Sequence, residues 1–330
     1  MTAYLLRRLA AAAAVLLAVC LTTFVIFTLL PSNPALIACG KSCTAERLAE
    51  ISSQMGLDRP LPTQFTDYVT GIFAGRSLGT GQYAIRCDFP CLGYSWQTGQ
   101  PVWDILLEGL PITFSLALGA SVLWLTGGLA AGVASALRKD TLTDRLLVGS
   151  TVVSAALPIY FVGPMLLFLT VRWLELMPYP GYVAFGEDPL AWAQNLLLAW
   201  VALAMLSAAM YARQSRSSMI ETMAEPYIRT ARAKGLRRRT VVVKHGLRAA
   251  LTPIVTLFGM DLGALMGGAI ITESIFSLPG IGKITADSIT GQDYPVILGT
   301  TLLAAFFIVF ANLVVDLLYG VVDPRVRHAS

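Results

Sequence analysis

The chain has 330 residues, of which 55% are hydrophobic and 13% charged, with a net charge of +4 and a mean hydropathy of +0.66. Ordinary soluble domains carry roughly 45–50% apolar and about 25% charged residues, so this balance excludes a soluble enzyme. It points to a chain whose surface lies largely in lipid.

The apolar residues are gathered into spans. Residues 9–30, 109–137, 146–171 and 189–212 contain no charged side chain, and each reaches the about 20 residues that a helix needs to cross a bilayer. Two further spans hold one acid each, 249–272 with Asp261 and 296–322 with Asp316. The predicted fold is therefore all-α, with six transmembrane helices. Three parts result: a tail and first helix over 1–30, a polar segment over 31–107, and a five-helix core over 108–330 whose longest loop is 213–248.

Arg7 and Arg8 before an alanine-rich run imitate a signal peptide. The run exceeds the 7–15 apolar residues of such a segment, and Pro31-Ser32-Asn33-Pro34 is a poor cleavage context, so the helix is predicted to be retained. In the polar segment, residues 44–55 suit a helix with Leu48, Ile51 and Met55 on one face, capped by Thr44 three positions before Arg47. A rigid turn follows at 56–62. A second amphipathic stretch over 64–73 places Phe65, Tyr68, Val69 and Ile72 together, after which Gly75, Gly79, Gly81, Gly93 and Gly99 are expected to break regular structure. The segment reads either as a small cap on the membrane or as a loose spacer.

Cys20 sits inside the first span as a packing residue. Cys39, Cys43, Cys87 and Cys91 form two C-x3-C pairs in the polar segment. Thiolates in such pairs can hold zinc, but outside the cytoplasm the oxidised form is favoured, which makes the four disulfide candidates with three pairings open. No metal site is assigned.

Orientation follows from the basic residues. Arg7, Arg8, Arg138, Lys139, Arg145, Arg325 and Arg327 flank one set of span ends, and the loop 213–248 holds ten more Lys and Arg. The turn 175–188 has none, and 273–295 has only Lys283. The positive-inside rule places both termini and the loop 213–248 in the cytoplasm, and it leaves 31–107 outside, since segments that long translocate largely regardless of charge. Nucleic acid is excluded as the loop's partner, because it is pinned between two spans and lacks interleaved aromatics for base stacking.

Within that loop, Glu225 precedes a proline at a first helical position, and Gly235 is the residue type that closes helices. A two-turn helix does not persist alone in water, so packing must hold it, and Tyr227, Ile228 and Ala231 supply an apolar edge. Thr240 is the expected N-cap of a second helix that runs into the membrane. A loop that only fixes topology would need the charge but not this bracketed helix.

In the fifth span Gly259, Gly263 and Gly267 stack on one face, as a packing seam or a path lining. Asp261 must face protein or water, and Asp316 is expected to pair with a basic loop residue. Glu273, Pro279 and Gly280 follow at the mouth of the span. Catalysis by this chain is not expected: G-x-x-x-x-G-K-[ST] and H-E-x-x-H are absent, the nearest match, Gly280-Ile281-Gly282-Lys283, lacks the spacing, and the two histidines are His245 and His328. A secondary transporter, the alternative class, would show matched broken helices and several intramembrane ions.

The stretch Arg229-Thr230-Ala231-Arg232-Ala233-Lys234-Gly235 resembles the EAA loop of the permease subunits of bacterial ABC importers, in the dipeptide, oligopeptide and nickel branch. Arginine replaces glutamate and threonine replaces alanine at its first two positions, and His245 and Arg248 stand where the general pattern has isoleucine and proline. YIRTARAKGL followed by KHGLRAALTPIV is similar to the peptide branch, as are YLLRRL, MGLDRPLPTQF, GGAIITESIFSLPGIG, DYPVILG and NLVVDLLYGVVDPRVR, so the resemblance covers nearly the whole chain. It implies a type I importer permease fold in the bacterial inner membrane, paired with a second permease subunit, two cytoplasmic ATPases that bind ATP and Mg, and an extracytoplasmic binding protein. The chain itself would need no cofactor. Peptide is the implied cargo, with a nickel chelate or another small solute as the alternative. The resemblance makes Glu225, Tyr227, Ile228, Ala231 and Gly235 the ATPase-coupling residues, and sets Glu273, Pro279 and Gly280 in a re-entrant loop near the docked binding protein. Asp261 would meet either a peptide's amino terminus or the partner permease. The outer cysteine pairs are not carried over from the general family pattern.

Overall fold

The computed structural model describes residues 2–29, 34–39, 43–54, 56–78 and 85–322. Pro31, Ser32, Asn33, Met55, Gly79, Gly81, Arg325, Arg327 and His328, named above, lie outside the described residues. The first helix, α1 (Thr2–Leu29), is apolar nearly all round and is barely covered by its own chain. It packs on the last helix, to which Arg8 is tied by an ion pair with Asp316. Asp316 thus pairs with the N-terminal helix, where a loop partner was expected.

The described part of the polar segment forms short regular elements. Three short helices, α2 (Pro34–Cys39), α3 (Ala45–Gln54) and α4 (Leu61–Ala74), precede two small hairpins, β1 (Arg76–Leu78) with β2 (Ile85–Cys87) and β3 (Tyr94–Ser95) with β4 (Gln100–Pro101). Thr44 caps α3 as expected, accepting from Arg47 N at 3.3 Å. Gly75, Gly93 and Gly99 do not abolish regular structure: they border strands too short for periodicity to reveal. Each C-x3-C pair closes on itself, Cys39 with Cys43 and Cys87 with Cys91. Cys20 is a buried free thiol.

Among the described residues five helices are long and apolar enough to cross a membrane, and there are six spans if a bent pair counts as one. The pair is α6 (Leu142–Ala156) and α7 (Ile159–Leu167), the latter extended by a π-helical turn over Phe168–Trp173, and the two halves meet at 96°. One straight helix was expected over 146–171. Pro158 prevents it, because proline has no N–H and pushes the preceding residue out of the helical region; Leu157 is extended, with φ −90° and ψ 116°.

Two helices of 36 residues form the centre, α5 (Val102–Leu137) and α8 (Pro189–Ala224). Asp188 starts α8 by accepting from Leu190 N at 2.9 Å and Ala191 N at 3.0 Å. The helix continues twelve residues past the expected end of its span at Ala212. At 1.5 Å per residue it is about 54 Å long, well beyond the roughly 30 Å of a hydrocarbon core. Trp200 lies over Gly119, Tyr211 over Gly128 and Ser215 over Gly132, so α5 and α8 run parallel with their backbones close. The main core fills the space around them with Ile112, Leu116, Trp124, Leu196, Leu203, Ile254, Phe276 and Leu278.

After α8 come α9 (Pro226–Ala233), then α10 (Arg238–Thr240), a π-helical stretch Val241–Leu247 and α11 (Arg248–Met266) in one rod. The rod starts at Arg238, with Arg237 extended before it, so Thr240 is inside the helix and not its cap. It stops at Met266, short of Thr272, where Gly268 adopts φ +109°. Then follow α12 (Ile270–Ile275), α13 (Ile281–Gly291) and α14 (Tyr294–Val322). The hairpin β3–β4 grips the α13–α14 corner, through Ser95 to the Asp293 carboxylate and Gln97 to the Gly291 carbonyl.

Candidate functional site

Two short-helix elements stand at opposite ends of the bundle. The hairpins and α13 adjoin the start of α5, whereas α9 continues from the end of α8, which runs parallel to α5.

At the α9 end, Glu225 is extended, Pro226 takes the first helical position, and Gly235 turns the chain out at φ +74°. A side chain at 235 would meet no neighbour within 4 Å, so only the left-handed backbone selects glycine there. Ile228 is 0% and Ala231 7% exposed, packed with Val241 against Met223. The apolar pair read from the sequence as a docking edge therefore faces the chain's own core. Tyr227 is 44% exposed, and burial, followed by the charge of Glu225, raises its pKa. Arg229, Thr230, Arg232, Ala233 and Lys234 are exposed.

Above this helix, Arg216 on α8 donates to Asp144 on α6 from Nε at 2.9 Å and Nη2 at 2.8 Å. Ser135 on α5 donates to the same carboxylate, and Asp140 N donates at 3.0 Å. Three helices thus meet on one acid. Sequence reading counted Arg216 only as topological charge, and an acid 72 positions away leaves no local signal.

In the last third of α11, Asp261 accepts from Tyr211 Oη at 2.7 Å, a partner in its own chain. The stripe Gly259, Gly263 and Gly267 lies on α14: Cβ atoms there would stand 2.2 Å from Val315, 2.5 Å from Ala311 and 2.7 Å from Ala304. It is a seam between two helices of this chain.

At the other end, Glu273 is wholly buried. Its carboxylate accepts from Thr113 Oγ1 at 2.9 Å, Ala269 N at 3.2 Å, Lys283 N at 2.9 Å and Gly282 N. Thr113 Oγ1 in turn accepts from Ile281 N at 2.8 Å. The first three N–H groups of α13, which no intrahelical carbonyl can satisfy, are thereby all bonded, by residues outside that helix. Gly280, the N-cap, carries no side chain to do this, and a Cβ there would sit 2.6 Å from the Glu273 carboxyl. Burial raises the pKa of Glu273, and these hydrogen bonds draw it back. Phe276 and Leu278 anchor the connection in the main core. Pro279 leads into the turn at Gly280. Thr113 carries no distinguishing mark in the sequence, being one of two threonines in an apolar span.

Comparison with known proteins adds the following. Residues 128–328 match the family described as binding-protein-dependent transport system inner membrane component, and residues 1–117 match the N-terminal region of such membrane components. The dipeptide transport system permease protein DppB of Escherichia coli (strain K12) is 35% identical over 99% of each chain. A putative peptide transport system permease protein of Brucella abortus (strain 2308) is 35% identical over 99% of this chain and 100% of its own. Among solved structures, a chain of the inward-facing MetNI methionine ABC transporter superposes with a TM-score of 0.54 at 17% identity, covering 67% of this chain and 97% of that one. That likeness shows a shared fold.

Proposed function

The chain belongs to the family of binding-protein-dependent transport system inner membrane components, and from that membership we propose that it forms half of the membrane pathway of an ATP-driven peptide importer. It is a permease subunit with several membrane-spanning helices in the inner membrane, and ATP hydrolysis belongs to other subunits. Importers of this kind combine permeases, ATPases and a binding protein. Here the assembly is a second homologous permease, two cytoplasmic ATPases that bind ATP and Mg, and an extracytoplasmic binding protein. The observation that carries the cargo reading is 35% identity along the full chain to a permease named for dipeptides.

In this reading the α9 end is cytoplasmic and the cap over 34–101 is outside. Basic residues concentrate at the first, and disulfides persist in oxidising compartments, which suits the second. The ATPase meets α9. Only Glu225 separates α9 from α8, so a push on the short helix enters the long one. From α8 it passes to α6 through Arg216 and Asp144, to α11 through Tyr211 and Asp261, and to α5 along the glycine contacts. At the far end the Glu273 loop gives the binding protein a fixed platform beside the pathway.

The test is uptake in a strain lacking the chromosomal gene, supplied with dipeptides, longer peptides, free amino acids and a nickel chelate. Peptide uptake restored by the gene is the expected result. Restored nickel uptake with no peptide transport would overturn the cargo reading.

A further inference from the structure

We propose that α9 holds its ATPase by charge, in a groove rimmed with carboxylates that pair with Arg229 and Arg232 on one flank and Lys234 on the other. The inference rests on the reading of α9 as the docking helix and says what its partner must look like.

The first observation is that the apolar side of α9 is not available. Ile228 and Ala231 are buried against Val241 and Met223, so a partner meets the opposite side. Helical spacing of 100° per residue puts Pro226, Thr230 and Ala233 along the outward crest. Arg229 and Arg232 border it on one side, Tyr227 and Lys234 on the other. Tyr227 is the single large apolar side chain this surface offers. A crest of small residues lets a partner's backbone come close, but it gives little area to bury.

The second observation is charge without compensation. From Arg229 to Arg248 the sequence has eight Lys and Arg and no Asp or Glu. Arg229, Arg232 and Lys234 are exposed, and among the described residues none of the three forms an ion pair. Like charges packed this densely repel one another until a partner brings the opposite sign. Arginine adds geometry to charge, since its planar fork matches a carboxylate with two parallel bonds.

An anionic membrane is the competing partner, and the length of α8 argues against it. The twelve residues beyond Ala212 place α9 about 18 Å past the end of the apolar stretch. That exceeds the screening length of about 8–10 Å at physiological salt.

The experiment uses the complete complex of both permeases and the ATPases. The fraction of ATPase retained on the purified permeases is measured in detergent as salt rises from about 0.1 to about 0.5 M, where screening shortens markedly. The unaltered complex should loosen about tenfold over that range. Arg229→Gln with Arg232→Gln should loosen it by a similar factor at low salt and flatten the salt response, since charge pairs at such a surface set association. Arg229→Lys with Arg232→Lys keeps the charge but not the fork, so it should retain clearly more ATPase than the glutamine pair and keep the salt response, which excludes misfolding. Ala233→Trp, on the crest, tests docking by shape alone. If Ala233→Trp releases the ATPases while salt and the glutamine pair change nothing, the carboxylate groove is overturned and the docking reading stands. If neither the tryptophan nor the glutamine variant releases them, the docking reading falls and the inference with it. Reconstitution into phosphatidylcholine vesicles with and without phosphatidylglycerol gives the lipid arm. A glutamine-pair defect seen only with phosphatidylglycerol, with normal retention in detergent, would assign the arginines to the membrane and overturn the proposal.

Discussion

The two short-helix elements are held in opposite ways. On its inner side α9 rests on two apolar side chains, Ile228 and Ala231, over Val241 and Met223, and its exit turns on Gly235. The α12–α13 connection closes round one buried carboxylate, with hydrogen bonds that reach α5 through Thr113 and the start of α13 through Gly282 and Lys283. Apolar contact is non-directional, so a helix held that way tolerates a small tilt. Hydrogen bonds weaken steeply with angle, so a loop held by four of them does not. The difference suits a lever at one end and a fixed platform at the other.

The largest effect that would break this contrast is at Glu273. Alanine there leaves four donors without their acceptor, of which the Thr113 hydroxyl and Gly282 N belong to buried residues, at about 1–3 kcal/mol for each buried one before relaxation. Glu273→Ala should therefore destabilise the permease by about 3 kcal/mol or more, read as a lower melting temperature in detergent. Glu273→Gln keeps the shape but turns an NH2 group toward N–H donors, and should cost about 2 kcal/mol. A glutamine variant as stable as the parent would show that the carboxylate is not the lock.

Ile228→Ala should cost about 2–4 kcal/mol, but locally. The contrast predicts that ATPase association and coupled hydrolysis fall while the melting of the bundle barely moves. A drop in bundle stability as large as that at Glu273 would mean that α9 is part of the rigid core.

Gly235→Val isolates the backbone, because its side chain would meet nothing. The left-handed conformation should cost about 1–2 kcal/mol, seen as protease sensitivity at 234–237 and reduced stimulated hydrolysis. Gly235→Asn should recover most of it.

The smallest effect is at Asp293, whose pKa is raised by burial and drawn back by Ser95 and Val296 N. A carboxyl raised on folding holds its proton more tightly in the folded chain. Its contribution is therefore fully present at low pH and is lost as pH climbs from the ordinary value of about 3.9 through the raised one. Unfolding across that window should show a slope that Asp293→Asn removes.

The sequence made α9 legible because every signal was local: Pro226, Gly235, and apolar residues three apart. What it could not say was which way the apolar edge faced, since that depends on Val241 beyond the turn. The spans are legible as long apolar runs with little charge, yet that rule ends the fourth before Arg213. Ser215 and Met219 continue the buried face of α8, and the helix followed packing. The bend at Pro158 is masked in the sequence by the apolar run that continues through it. The Glu273 lock was out of reach, since it joins residues 160 positions apart and its chief donors are backbone.

The central claim is that the outward crest of α9 meets an ATPase, and photo-crosslinking tests it most directly. A benzophenone amino acid is placed at Thr230, at Ala233, or at Thr98 in the cap, and the complete complex is irradiated in native membranes. The account predicts ATPase adducts from Thr230 and Ala233 and none from Thr98, which should instead capture the binding protein. ATPase adducts from Thr98, with none from Thr230 or Ala233, would contradict it.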